Sequence, residues 1–232
     1  WSSDVCSSDL CHALDLKKPV IMGQSMGGNI CLELALRYEN EFSALIALEA
    51  CDYSPGWWID ALHHPHIHGN EVVATSTFGL MSPESPDEHR WETWWLYANG
   101  GPGTFKGDLY FYSVDSDFRE HTSKLSGRLP IYFITGTYDF ACTPEMTERT
   151  AEKVKNSECI IFDGGHFPTS EDPAKFKQVV TPVLKKILAL DLPDWRSGSS
   201  LSGATSNRPQ AQIGSHGSSR TAPTSGRRVI DL

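Results

Sequence analysis

The sequence predicts an α/β fold, with a mainly parallel sheet covered by helices on both faces and interrupted by a large insertion. Three observations carry that expectation. Short runs that are apolar throughout recur along the chain, as strands buried on both faces require. Segments with apolar residues three and four positions apart follow them, as helices require. Between Cys51 and Leu129 both patterns give way to clustered tryptophans and histidines and to turns rich in Gly and Pro, which reads as an inserted cap.

The elements follow in order. Residues 1–10, WSSDVCSSDL, have no start methionine and no usable periodicity, and they resemble translated sequencing-adapter sequence. Residues 1–16 are therefore expected to form a non-native or irregular start. Pro19-Val20-Ile21-Met22 is a short apolar run ending at Gly23 and reads as a buried strand. Ile30, Leu32, Leu34, Ala35, Leu36 and Tyr38 then give a helical pattern. Ala44–Leu48 is a second strand, Ile131–Thr135 a third and Cys159–Phe162 a fourth. Thr143-Pro144 places an N-cap before a proline at the first helical position, and that helix runs to about Lys155. A last helix follows Pro173, with Phe176, Val179, Val180, Val183, Leu184, Ile187 and Leu188 on one stripe and Pro182 as an expected kink.

Positions 197–228 hold 19 loop-forming Ser, Gly, Thr and Pro among 32 residues, with Leu201 and Ile213 the only large aliphatics. Such a segment buries too little apolar area to offset its ordering entropy. The expected organisation is then 1–16 as the irregular start and 17–51 as the first part of the core. The cap insertion takes 52–129, the second part of the core 130–192, and a disordered tail 193–232.

Composition narrows the function. The 232 residues suffice for one α/β domain with a sizeable core. A net charge of −9 argues against nucleic acid or an anionic membrane as the main partner. Mean hydropathy is −0.33, and no run approaches the roughly 20 apolar residues of a membrane span. No basic stretch followed by an apolar run marks a secretory signal. None of the six cysteines is spaced as C-x-x-C. Cys31, Cys51 and Cys159 lie in apolar segments and read as buried reduced thiols, which favours a cytoplasmic location. His63, His64, His66 and His68 are interrupted by Pro65 and have no evident fourth ligand, so they read as loop rather than as a metal site. Trp91, Trp94 and Trp95 are expected mostly in the core of the cap.

One motif carries chemistry. Gly23-Gln24-Ser25-Met26-Gly27 matches G-x-S-x-G between a predicted strand and a predicted helix. A serine on that sharp turn exposes its hydroxyl above the sheet edge, while the flanking glycines leave room for the turn and for the close helix. The helix N-terminus stabilises developing negative charge, and the Met26 N–H is an expected oxyanion donor. A serine hydroxyl needs a base. His166 lies in Asp163-Gly164-Gly165-His166-Phe167-Pro168, just beyond the fourth strand, and is placed to reach back over the sheet edge. Two acids are candidates to orient it. Asp139 follows the third strand in Gly136-Thr137-Tyr138-Asp139, and Glu49 ends the second. Asp139 is favoured and Glu49 is the alternative.

The segments GQSMGG at 23–28, GTYDFACTPE at 136–145 and GGHFPTSEDP at 164–173 together resemble the α/β-hydrolase fold, over roughly residues 17–190. The last two are similar to the segments around the acid and the histidine in its esterase and C–C hydrolase branches. The resemblance implies a serine hydrolase without metal or organic cofactor, acting on a small-molecule ester or similar acyl substrate through a Ser25–His166–Asp139 triad and a covalent acyl-enzyme. A serine at position 25 separates the chain from the dehalogenase and epoxide hydrolase branches, which carry aspartate there. C–C bond hydrolysis and perhydrolysis are alternatives on the same fold. The family normally carries about 80 to 100 residues before the elbow, including the loop with a second oxyanion N–H, whereas 24 residues precede Ser25. An N-terminally truncated chain, lacking strands, is therefore expected, and a non-catalytic fold remnant is the alternative of another class.

Overall fold

The computed structural model describes residues 3–190. The tail expected over 193–232 lies outside the described residues. Four strands form one parallel sheet in the order β1 (Val20–Gln24), β2 (Ala44–Leu48), β3 (Ile131–Gly136), β4 (Ser157–Phe162). The register sets Gln24 beside Leu48, Leu48 beside Ile134, and Gly136 beside Phe162. The carboxyl ends of all four strands therefore finish at one edge.

Every residue of β2 and β3 is buried, which is why these runs lack a polar alternate. Successive side chains go to opposite faces. Leu45, Ala47, Ile131 and Phe133 pack with Cys31, Leu32 and Ala35 of α2 (Met26–Arg37) and with Ala151 of α6 (Pro144–Lys153). Ala44, Ile46, Leu48, Tyr132 and Ile134 meet Phe176, Val180, Val183 and Ile187 of α8 (Pro173–Ala189) on the other face. Both faces are thus covered. Helix α8 continues through Pro182 as one element, and Thr143 caps α6 by accepting from the Met146 N–H.

The start of the chain differs from its expectation. Ser3–Ala13 forms α1 rather than an irregular segment. Leu10, the one leucine of this helix, is exposed, so no apolar stripe announces it, and Leu14 and Leu16 just beyond its end are exposed as well. Cys11 joins the core under α2, the Ser8 hydroxyl donates to Glu41 at 2.8 Å, and His12 Nε2 lies 3.1 Å from the same carboxylate.

Among the described residues, 52–129 contain no strand. They hold α3 (Asn70–Leu80), α4 (Asp87–Ala98), α5 (Thr104–Tyr110) and a single π turn over Phe111–Asp115. A third cluster, with Leu80, Met81, Ala141 and Phe167 buried and Trp57, Trp94 and Tyr97 packed against it, ties this helical segment to the loops after β3 and β4. Trp91 and Trp95 are not core: they are 58% and 63% exposed. Only Trp94 of the three packs inward, its indole N–H donating to the Ala74 carbonyl at 2.9 Å. Cys159 is half-buried rather than buried, unlike Cys31 and Cys51.

Candidate active site

Ser25 lies between β1 and α2 with φ 57° and ψ −115°. Its amide donates to the Leu48 carbonyl at 2.9 Å, and its carbonyl accepts from Asn29 at 3.0 Å, so the turn is pinned to β2 and to the helix. The glycines divide the steric work unevenly. A Cβ on Gly23 would lie 2.1 Å from the Gly27 carbonyl oxygen, and one on Gly28 would lie 2.5 Å from the Leu48 carbonyl oxygen. A Cβ on Gly27 would meet nothing within 4 Å. Close helix–strand packing therefore rests on Gly23 and Gly28, not on the second glycine of the motif.

His166 is buried beyond β4. Its Nε2 is 2.7 Å from Ser25 Oγ and its Nδ1 is 2.7 Å from Asp139 Oδ2. The ring is held by its own backbone: the His166 amide donates to the Leu80 carbonyl at 2.8 Å, and Gln24 Nε2 donates to the His166 carbonyl at 2.9 Å. Asp139 follows β3 and is also buried, its other oxygen accepting from the amides of Ala141 at 2.8 Å and Cys142 at 3.0 Å. Burial works against its charge, but His166 and these donors hold its carboxyl below the ordinary range.

Glu49 stands beside this chain of contacts rather than in it. Its Oε2 accepts from the Gly136 amide at 3.1 Å, while Oε1 is buried without a donor. Burial, and then the charge of Asp139, push its carboxyl well above the ordinary range. A protonated Glu49 resolves the orphaned oxygen, because its hydroxyl then donates to Asp139. Among the described residues, three potential metal-ligating groups converge only at Glu49, Asp139 and His166, with their ligand atoms within 4.8 Å of one another. His63 to His68 do not assemble in this way: His63 accepts from the Trp58 indole, and His64 packs against His66.

Met26 is the first residue of α2, where an N–H has no intrahelical acceptor. The site opens into a cavity of about 250 Å³ whose walls include Trp57, Leu80, Tyr97 and Phe105. The aromatic lining comes from Trp57, Tyr97, Phe105, Tyr112 and Phe167, not from Trp91 or Trp95.

Two residues at the site escaped the sequence reading. The Tyr112 hydroxyl lies 2.5 Å from Ser25 Oγ. Glu171, fully buried, accepts from the Gly165 amide with one oxygen and from the Ser82 amide at 3.2 Å with the other, clamping the histidine loop to the end of α3. Burial pushes its carboxyl up to about 7 against the pull of those amides. Glu171 lies in the same short segment as His166 and could have been singled out there. Tyr112 has no motif around it.

A strand-turn-helix serine, a histidine and an acid brought to the carboxyl edge of a parallel sheet define a class of fold, and comparison with known proteins agrees. The family model described as the alpha/beta hydrolase fold matches residues 4–173. The chain belongs to that family. Among solved structures, a thermophilic esterase from Thermogutta terrifontis is 22% identical with a TM-score of 0.64, covering 77% of this chain and 69% of its own. An enol-lactonase from Burkholderia xenovorans LB400 is 16% identical with a TM-score of 0.66, covering 76% and 69%. A bromoperoxidase from Bacillus anthracis is 20% identical with a TM-score of 0.62, covering 76% and 70%. At these identities the likeness establishes the fold. No curated protein matches the sequence. No helix among the described residues is long and apolar enough to cross a membrane.

Proposed function

We propose that this chain is a serine hydrolase acting on small esters or similar acyl compounds. The observation that carries the reading is the continuous contact from Ser25 Oγ through the His166 ring to Asp139, with both links at 2.7 Å. Ser25 Oγ attacks the substrate carbonyl while its proton passes to His166 Nε2. The carbonyl electrons collect on oxygen near the Met26 N–H. Collapse expels the alcohol, which takes the proton back from Nε2, and leaves Ser25 acylated. Water, activated by the same nitrogen, then releases the acid. Asp139 holds the imidazole with Nδ1 protonated and stabilises the imidazolium. The insertion acts as the cap over this site.

The cavity, about 250 Å³, is smaller than the roughly 300–1,000 Å³ of pockets for drug-sized ligands. It suits short acyl groups. A panel of p-nitrophenyl esters tests this. Turnover is expected to be highest for acetate and butyrate, at least about tenfold lower for laurate, and lost in Ser25→Ala by about 10⁴-fold or more. Turnover that survives Ser25→Ala would refute the reading.

A further inference from the structure

We propose that Tyr112, from the insertion, supplies a side-chain hydrogen bond to the oxyanion formed at Ser25. The proposal rests on the serine hydrolase reading and adds a catalytic group to it.

The direction of the Tyr112–Ser25 bond follows from the contacts around it. His166 Nδ1 faces the Asp139 carboxylate, so Nδ1 carries the proton and Nε2 offers a lone pair. Nε2 therefore accepts the Ser25 hydroxyl proton. That proton is spent, so in the 2.5 Å contact with Ser25 Oγ the donor is Tyr112. Burial pushes the phenol well above its ordinary range, and the hydroxyl keeps its proton at neutral pH.

The hydroxyl is also held in place. Tyr112 sits in the π turn, a rare geometry that recurs at functional sites. The turn is closed by the Ser116 amide donating to the Phe111 carbonyl at 2.8 Å. Asn29 of α2 donates to the Ser116 hydroxyl at 3.3 Å, and the Trp58 amide donates to the Ser113 hydroxyl at 2.7 Å. The tyrosine is thereby tied to the helix that begins just after Ser25.

When Ser25 Oγ bonds to the carbonyl carbon, its proton passes to His166 Nε2 and Oγ becomes a neutral ether-type oxygen, still with two lone pairs but a weak acceptor for Tyr112. The carbonyl π electrons move to oxygen, which is attached to the same carbon as Oγ. A donor that reaches Oγ needs only a small rotation to reach this oxygen. Charge makes the oxyanion a stronger acceptor than a neutral hydroxyl, so the bond strengthens in the transition state. Tyr112 donates throughout and transfers no proton. On collapse the electron pair reforms the carbonyl, and the hydroxyl returns to Oγ once the acyl group has left.

The experiment uses the whole chain with p-nitrophenyl acetate and a trifluoromethyl ketone that forms an oxyanion-bearing adduct with serine. Tyr112→Phe should lower kcat about 10²-fold, change KM less than about threefold, and weaken the ketone by the same factor as kcat. Replacing Tyr112 with 3,5-difluorotyrosine, a stronger hydrogen-bond donor of nearly the same shape, should restore the wild-type rate. A Tyr112→Phe enzyme with wild-type kcat overturns the proposal. So does a loss of kcat without loss of ketone affinity, which would mark a packing effect. Turnover that is abolished by Ser25→Ala but untouched by Tyr112→Phe removes Tyr112 alone. A wild-type chain with no turnover removes the hydrolase reading as well.

Discussion

Ser25 occupies a backbone conformation that costs a non-glycine residue about 1–3 kcal/mol, and the bonds from Leu48 and Asn29 hold it there. That strain presents the hydroxyl at the end of the sheet, toward His166. Ser25, His166 and Asp139 were legible because each sits in a short segment with its own signature at a predicted strand end. Glu49 was legible as an acid at a strand end but not in its role. Sequence spacing cannot distinguish which carboxylate faces the ring from which one backs the other. The geometry assigns the first role to Asp139, so Asp139→Asn is expected to lower kcat about 10³- to 10⁴-fold through the wrong imidazole tautomer. Glu49→Gln keeps a donor toward Asp139 and should cost less than about tenfold. Steady-state kinetics of the two variants on one ester decides the matter, and reversed losses would make Glu49 the acid. Tyr112 was invisible for a different reason. Its position depends on a π turn, and local periodicity does not reveal one extra residue in a turn.

At the scale of elements, the four strands and the helices α2 and α8 could be read because burial on a covered sheet leaves a simple apolar pattern, whereas α6 was legible from the Thr143-Pro144 signal at its start. Helix α1 could not be read because its one leucine, Leu10, faces outward. The surface tryptophans of α4 misled because large aromatic residues are usually core. The clamp made by Glu171 joins α7 (Pro168–Glu171) to the end of α3, and it has a pH signature. Its carboxyl is raised from 4.5 to about 7 in the folded chain. Between those values the folded state binds more protons than the unfolded state, so stability is highest at the acid end and falls as pH rises toward 7. The contribution of this group is on the order of 3 kcal/mol. Glu49 acts in the same direction, so Glu171→Gln should remove part of the slope rather than all of it. Urea midpoints at pH 5 and pH 8 for both proteins measure this. Equal slopes would show that Glu171 is ionised as readily in the folded chain as in the unfolded one.

For the whole molecule, the sheet of the described residues runs from β1 at one edge to β4 at the other, and the half-exposed Met22 lies on β1. The solved structures named above are covered over 69–70% of their length. Even so, the residues proposed for catalysis converge from β1, β3 and β4, and residues of 52–129 supply part of the cavity wall. On the proposed reading this assembly makes Ser25 a working nucleophile. The most direct test is to treat the 232-residue chain with a fluorophosphonate and locate the adduct by peptide mass spectrometry. One adduct is expected, on Ser25, slowed at least about 10³-fold in His166→Ala and absent in Ser25→Ala. An unlabelled Ser25 in folded protein would contradict this and favour a fold remnant without catalysis, and labelling that persists in Ser25→Ala would contradict it by placing the reactive serine elsewhere.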